Sequence, residues 1–311
     1  MSDIFAVFQK LLDALPVVGE TTIQELAGPS CEVTAECGCV ILHRKNFCFN
    51  EESVVFVTEL GDGGFQITGT DKQGYGMFQS SLPLSPFMLI GEQLQFQNDV
   101  RGTVYLRNIR EFFEKDLNQV KFSDLYLDIG STMEDCGKGM LFPGQMGRYT
   151  AGTYRGAGDS IITPYASSLM GTAILLQAFK ESDAFDHVCC VLVRNDRQSY
   201  QWAKHFLQNK HTVFCGSCAE SDLQQERKLG NGAARIPGSC REMSHVDSSS
   251  FQSVIWEQFK KNWWSEIVTE AILLPIRNLY TQGEVYSQKD ADLMLNALVA
   301  ACKGTSAKEV S

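Results

Sequence analysis

No stretch of about 18 consecutive apolar residues occurs in this chain of 311, so a membrane-crossing helix is not expected. Basic residues are in short supply: Lys and Arg number 27 against 37 Asp and Glu. The resulting net charge of -10 repels a phosphate backbone. The densest basic pair, Lys260-Lys261, reads as a solvated helix face. Neither nucleic acid nor membrane is therefore expected as a partner. Histidine is scarce, at 5, and no Gly-x-Ser-x-Gly elbow is present, which removes the local signature of a serine hydrolase. No basic leader precedes an apolar run at the start; Ile4, Phe5, Phe8, Leu11, Leu12 and Leu15 fall at helical spacing instead. A cytoplasmic location is the resulting expectation.

What is present is an ordinary globular composition, 44% hydrophobic and 21% charged, with enough apolar residues for a sizeable core. The 11 cysteines are odd in number, and the chain is too large to need disulfide staples, so buried thiols in a reducing compartment account for most. Cys215-Gly-Ser-Cys218 follows a strand pattern and has three readings: two structural thiols, a redox pair, or half of a zinc site. The zinc reading needs a second pair, for which Cys37-Gly-Cys39 has poor spacing. Gly61-x-Gly63-Gly64 follows a strand without the helix and Lys-Ser/Thr of a phosphate loop, so it reads as a hairpin turn.

The pattern divides the chain. Cys31–Asn50 and Glu52–Leu60 read as strands, and Phe65–Thr70 resumes after the glycine turn, with a second turn over Asp71–Gly74. Residues 73–151 read as a β-rich insert with short strands at Leu82-Pro83-Leu84, Val100–Leu106 and Leu125–Ile129, and a short helix near Glu111–Leu117. Alternation then begins: a helix over Leu169–Glu181, a strand over His187–Val193, a helix over Ser199–Gln208 with Trp202, Phe206 and Leu207 as core positions, and a strand over Thr212–Cys215. A polar loop over Gly230–Ser250, an aromatic helix over Phe251–Ile267, a strand at Ile272–Ile276 and a helix over Lys289–Cys302 complete the chain. The expected fold class is α/β: a mixed sheet flanked by helices, formed by residues 1–72 and 152–311, with the β-rich domain inserted. Phe259, Trp263 and Trp264 are candidates for an interface, since adjacent tryptophans cannot share one helix face.

Five segments in order carry a resemblance. They are Val54–Phe65, the Leu-Tyr-Leu-Asp-Ile-Gly run at Leu125–Gly130, Ser167–Leu175, Lys228-Leu-Gly-Asn-Gly232, and Leu274-Pro-Ile-Arg-Asn-Leu-Tyr-Thr-Gln-Gly-Glu-Val285. Together they resemble the tetrahedral, glutamyl-aminopeptidase-like metallo-aminopeptidases. That resemblance implies a co-catalytic two-metal exopeptidase scaffold interrupted by a β-rich domain, and self-association. It also places the family's ligand and base positions at Glu59, Asp62, Ser167, Asn195, Asp196, Cys215 and Tyr280. Hydrolytic metals need carboxylates and imidazoles, and Ser167, Asn195 and Tyr280 are poor ligands at neutral pH. The expectation is a zinc-exopeptidase-like scaffold without its metal ligands, catalytic residues or cofactor: a pseudoenzyme acting as a structural or regulatory binding subunit. Two alternatives stand beside it, a hydrolase with a site rebuilt from Glu59, Asp62 and Asp196, and a small-ligand sensor using the vacated cleft.

Overall fold

The computed structural model describes residues 3–49, 53–61, 63–107, 119–130, 140–181, 187–194, 196–220, 229–230, 234–236, 268 and 270–302. The expected helices near 111–117 and over 251–267, and the interface candidates Phe259, Trp263 and Trp264, lie outside them.

Period-two alternation decides the layering of the main sheet. Its order is β1 (Cys31–Glu36), β2 (Cys39–Arg44), β12 (Val188–Arg194), β3 (Val54–Leu60), β13 (His211–Ala219), β15 (Glu270–Ile276) and β14 (Ala234–Ile236). Strands β12, β3, β13 and β15 run parallel, while β2 and β14 pair antiparallel at the flanks. Apolar side chains on both faces of these strands produce two cores. Val188, Cys190 and Leu192 join Phe56, Ile272 and Leu274 on one side. Cys189, Val191 and Val193 join Val55, Val57 and Leu273 on the other. The first face is covered by α1 (Asp3–Ala14), α2 (Glu20–Ala27), α3 (Ala166–Glu181) and α5 (Gln288–Cys302). The second is covered by α4 (Arg197–Leu207), through Ala203 and Leu207. Trp202 and Phe206, expected in the core, are half-exposed: they lie over the sheet's margin beside Phe47.

Helix α3 is apolar all round because it lies between the sheet and other helices. Gly171 permits the approach. A Cβ there would stand 2.5 Å from Thr58 Oγ1 and 2.6 Å from the Cys215 carbonyl oxygen.

A closed barrel is built from β4 (Phe65–Thr70), β5 (Gly76–Ser80), β8 (Leu125–Asp128), β7 (Arg101–Leu106), β6 (Gln93–Phe96) and β9 (Met146–Tyr149). The glycine run after β3 is therefore not a hairpin turn: β3 belongs to the main sheet and β4 to the barrel. The run is instead the passage between the two, and Gly63 is needed because a Cβ would meet the Gly147 carbonyl oxygen at 2.2 Å. The turn at Asp71–Gly74 does close a hairpin, with the Asp71 carboxylate accepting from the amides of Gln73 and Tyr75. Leu82-Pro83-Leu84 is not a strand: proline has no ladder donor, and the Leu84 amide turns back to the Leu82 carbonyl at 2.8 Å. A small sheet of β10 (Tyr154–Arg155), β11 (Ser160–Thr163) and β16 (Glu284–Ser287) leads back to the body. No helix among the described residues is long and apolar enough to cross a membrane.

Candidate functional site

From β3 the chain runs through the barrel to α3, on one face. From β12, the parallel neighbour of β3, it runs to α4 on the other face. Connections leaving in opposite directions open a crevice at the strands' carboxyl ends, where ligands of such sheets bind. Glu59, Gly61, Arg194, Asp196, Glu220 and the turn Arg277–Tyr280 sit at these ends.

Alternation along β3 puts Glu59 on the α4 side with Val55 and Val57. There the Tyr200 hydroxyl, in the first turn of α4, donates to Glu59 Oε1 at 3.2 Å. Burial raises the Tyr200 phenol above its ordinary pKa, and the adjoining Glu59 carboxylate adds to this. Tyr280 is raised by burial, then by Glu59 and Glu284. Two neutral phenols thus crowd one carboxylate. Tyr280 has φ 63, a strained value for a bulky residue.

Ser167 and Tyr280 meet at a residue sequence reasoning missed, Glu284. Its fully buried carboxylate accepts the Ser167 amide at 2.7 Å, the Ser167 hydroxyl at 2.5 Å and the Tyr280 amide at 2.5 Å. The Ser217 hydroxyl closes the group by donating to the Ser167 carbonyl at 2.8 Å. Glu284 takes the first amides of α3, an arrangement the helix dipole favours. Burial still pushes its carboxyl up to about 7, against the downward pull of the Ser167 and Tyr280 donors. The signal in the sequence was one acid at alternate spacing with buried Tyr286, on the inward side of a short strand.

The other expected positions separate. Asp196 is exposed and caps α4: Oδ1 accepts the Ser199 amide at 2.9 Å and Oδ2 its hydroxyl at 2.6 Å. Cys215 is fully buried in the α3-side core, below the crevice, while Cys218 points into the α4-side core. Three residues along a strand reverse the face, so this Cys-x-x-Cys pair neither bonds to itself nor chelates. Asp62 and Asn195 lie outside the described residues.

A two-metal hydrolytic centre needs several converging carboxylates and imidazoles. Among the described residues no group of three His, Cys, Asp or Glu side chains converges to hold a metal ion. At the crevice Glu59 is engaged by a phenol, Ser167 acts as a donor to Glu284, Tyr280 is a neutral phenol, and Asp196 is committed to its helix. Among the described residues, this donor set falls short of such a centre.

No family model matches the chain. Its backbone superposes on the TET aminopeptidase of a marine-sediment thaumarchaeote with a TM-score of 0.78 at 15% identity, covering 99% of both chains. It superposes on the TET1 peptidase of Pyrococcus horikoshii with a TM-score of 0.72 at 18% identity, covering 95% of this chain and 99% of that one. The fold is that of the TET aminopeptidases. That Pyrococcus peptidase is described as able to assemble into a tetrahedron or a large octahedral shell. In sequence, a "Putative aminopeptidase" of Acetivibrio thermocellus is 24% identical over 136 residues, which are 44% of this chain and 40% of the relative. The match therefore spans less than half of the relative's length.

Proposed function

We propose that this chain is a non-catalytic protein on the aminopeptidase fold, acting as a structural or regulatory binding subunit. The observation that supports the reading best is the closing of Tyr200 and Tyr280 around Glu59. The Tyr200 hydroxyl donates to Glu59, and burial together with that carboxylate keeps both phenols filling this part of the crevice in their protonated form at neutral pH. The same filling disfavours a small-ligand sensor. The division into an α/β body, residues 1–72 and 152–311, and a β-rich insert, residues 73–151, belongs to this proposal, although the barrel's first strand, β4 at Phe65–Thr70, precedes that boundary. So does self-association, by analogy with the assemblies described for the Pyrococcus peptidase.

A second reading, a metal-dependent aminopeptidase with a rebuilt site, is favoured by one feature. Glu59 keeps a carboxylate at the carboxyl end of a central strand, with Asp62 three positions on. Elemental analysis of the purified protein without added metal separates the two. The binding-subunit reading predicts less than about a tenth of an equivalent of transition metal, whereas a co-catalytic centre carries roughly one to two. One to two equivalents, lost in Asp196→Ala and accompanied by release of amino-terminal residues from peptides, would overturn the proposal.

A further inference from the structure

At the other end of α4 from Asp196 lies a run of rings that the crevice does not use. His43 and Phe47 have centroids 5.3 Å apart, Phe47 and Phe49 4.7 Å, and Phe49 and Phe206 5.7 Å. Phe206 stacks on Trp202 at 4.8 Å and 14°. The Lys210 ammonium sits 5.2 Å from the Phe49 centroid and 4.8 Å from that of Phe206. Phe49 is 47% exposed, and Phe47, Trp202 and Phe206 are each half-exposed. Five contiguous rings partly open to water, with a cation across two of them, form an extended aromatic surface.

Charge says what would cover it. The segments carrying the rings, residues 37–50 and 197–219, contain no Asp or Glu; the acids about them are Glu32, opposite His43 across β1 and β2, and Glu36, Glu51, Asp196 and Glu220 at the segments' ends. They hold Arg44, Lys45, Lys204 and Lys210, and three of the protein's 5 histidines, His43, His205 and His211, while Arg197 stands at the far end of α4 beside Asp196. Arg44 turns away, to the Ser30 hydroxyl and the Phe179 carbonyl, while Lys210 lies over the rings and donates to the Phe206 carbonyl. The last turn of α4 adds Lys204 and His205 to the partial negative charge of a helix end, which they offset. A basic aromatic surface on an acidic protein complements an acidic polypeptide segment with an aromatic anchor: carboxylates meet the cations and a ring extends the stack.

We propose that the Phe47–Phe49–Phe206–Trp202 array with Lys210 is the docking surface for an acidic, aromatic-bearing polypeptide partner. The inference gives the binding role a partner chemistry but rests on the array alone. Its failure would leave the reading of the crevice untouched.

The test uses the full chain and a fluorescently labelled random copolymer of glutamate and tyrosine, followed by anisotropy. The copolymer is expected to bind more tightly than polyglutamate or oligothymidylate, and to weaken as salt rises from about 50 to 200 mM because exposed charges contribute. Lys210→Glu and Phe49→Ser are each expected to weaken it about tenfold or more, and Lys210→Arg to retain it. Should Phe49→Ser lower the melting temperature, the Lys210 pair carries the comparison. Absence of binding, or equal binding by all variants, overturns the proposal. Tighter binding of oligothymidylate reassigns the array to single-stranded nucleic acid. An oligomer that dissociates on Phe49→Ser in sedimentation reassigns it to a second copy of the chain.

Discussion

Replacing Glu284 by glutamine tests the buried knot that joins the crevice turn to the start of α3. The carboxylate receives the Ser167 amide, the Ser167 hydroxyl and the Tyr280 amide, and its carboxyl rises from an ordinary 4.5 to about 7. The sign follows from linkage. Between the two values the folded protein holds a proton that the unfolded chain has released, so stability falls as pH rises through this window. The difference, 7 minus 4.5, corresponds to a loss on the order of 3 kcal/mol between about pH 4.5 and 8. Glutamine cannot titrate, so this loss disappears. In exchange, its amide nitrogen faces at least one N–H donor, and an unsatisfied buried donor costs about 1–3 kcal/mol. Glu284→Gln should therefore destabilise the protein more at pH 5.5 than at pH 8, with the gap closing as the wild type ionises. Urea unfolding of both proteins at four pH values between these limits measures the difference directly. A destabilisation that is constant with pH, or that grows as pH rises, would refute the reasoning.

Other outcomes follow from contacts already described. Gly171→Ala forces a methyl into Thr58 and the Cys215 carbonyl, and should cost about 1–3 kcal/mol in thermal unfolding; a neutral result would mean α3 is not held that close. Asp196→Ala removes a cap and should cost about 1 kcal/mol, with metal content unchanged. Tyr165→Phe deletes a hydroxyl that donates to the Gly63 carbonyl and accepts the Tyr149 amide, each at 2.7 Å, and should speed proteolysis between barrel and body. Alkylation of the native protein should label Cys37 and Cys48 first among the described cysteines. Cys39, whose thiol burial pushes up to about 12, should react only after unfolding, as checked by peptide mass spectrometry.

The main sheet was legible because its parallel strands are buried on both faces and read as short apolar runs, and because the helices α1 and α4 that pack against it have clear periodicity. The glycine passage was misread as a hairpin because two strands flanking Gly-x-Gly-Gly look the same locally whether they pair or part into different sheets. Which sheet each strand joins is a tertiary choice made by partners far along the chain, β12 for β3 and β9 for β4. At the site, alignment brought Glu59, Ser167 and Tyr280 to one crevice. It did not reveal Glu284, whose role depends on the fold bringing β16 beneath the first turn of α3. Nor did it reveal that Tyr200 reaches back to Glu59. Cys215 and Cys218 show the opposite case: only three positions apart in the sequence, they are separated by the sheet itself.

The passage through Gly63 bears on how the two parts of the molecule move. The chain enters the barrel at Gly63 and returns past Gly147 and Tyr149, so the barrel hangs from two touching strands, like a lantern on a doubled cord. A suspension of that kind resists pulling and yields to twisting. The Tyr165 hydroxyl, bonded to both strands at once, lies where the twist would occur, and Arg148 adds a second hold by donating to the Leu12 carbonyl at 2.8 Å. Rotation of the barrel must break these three bonds and the one the Tyr149 hydroxyl donates to the Tyr280 carbonyl at 3.1 Å. The orientation of any assembly surface on the barrel, relative to the crevice, is thus held by these bonds together with the apolar core that barrel and body share.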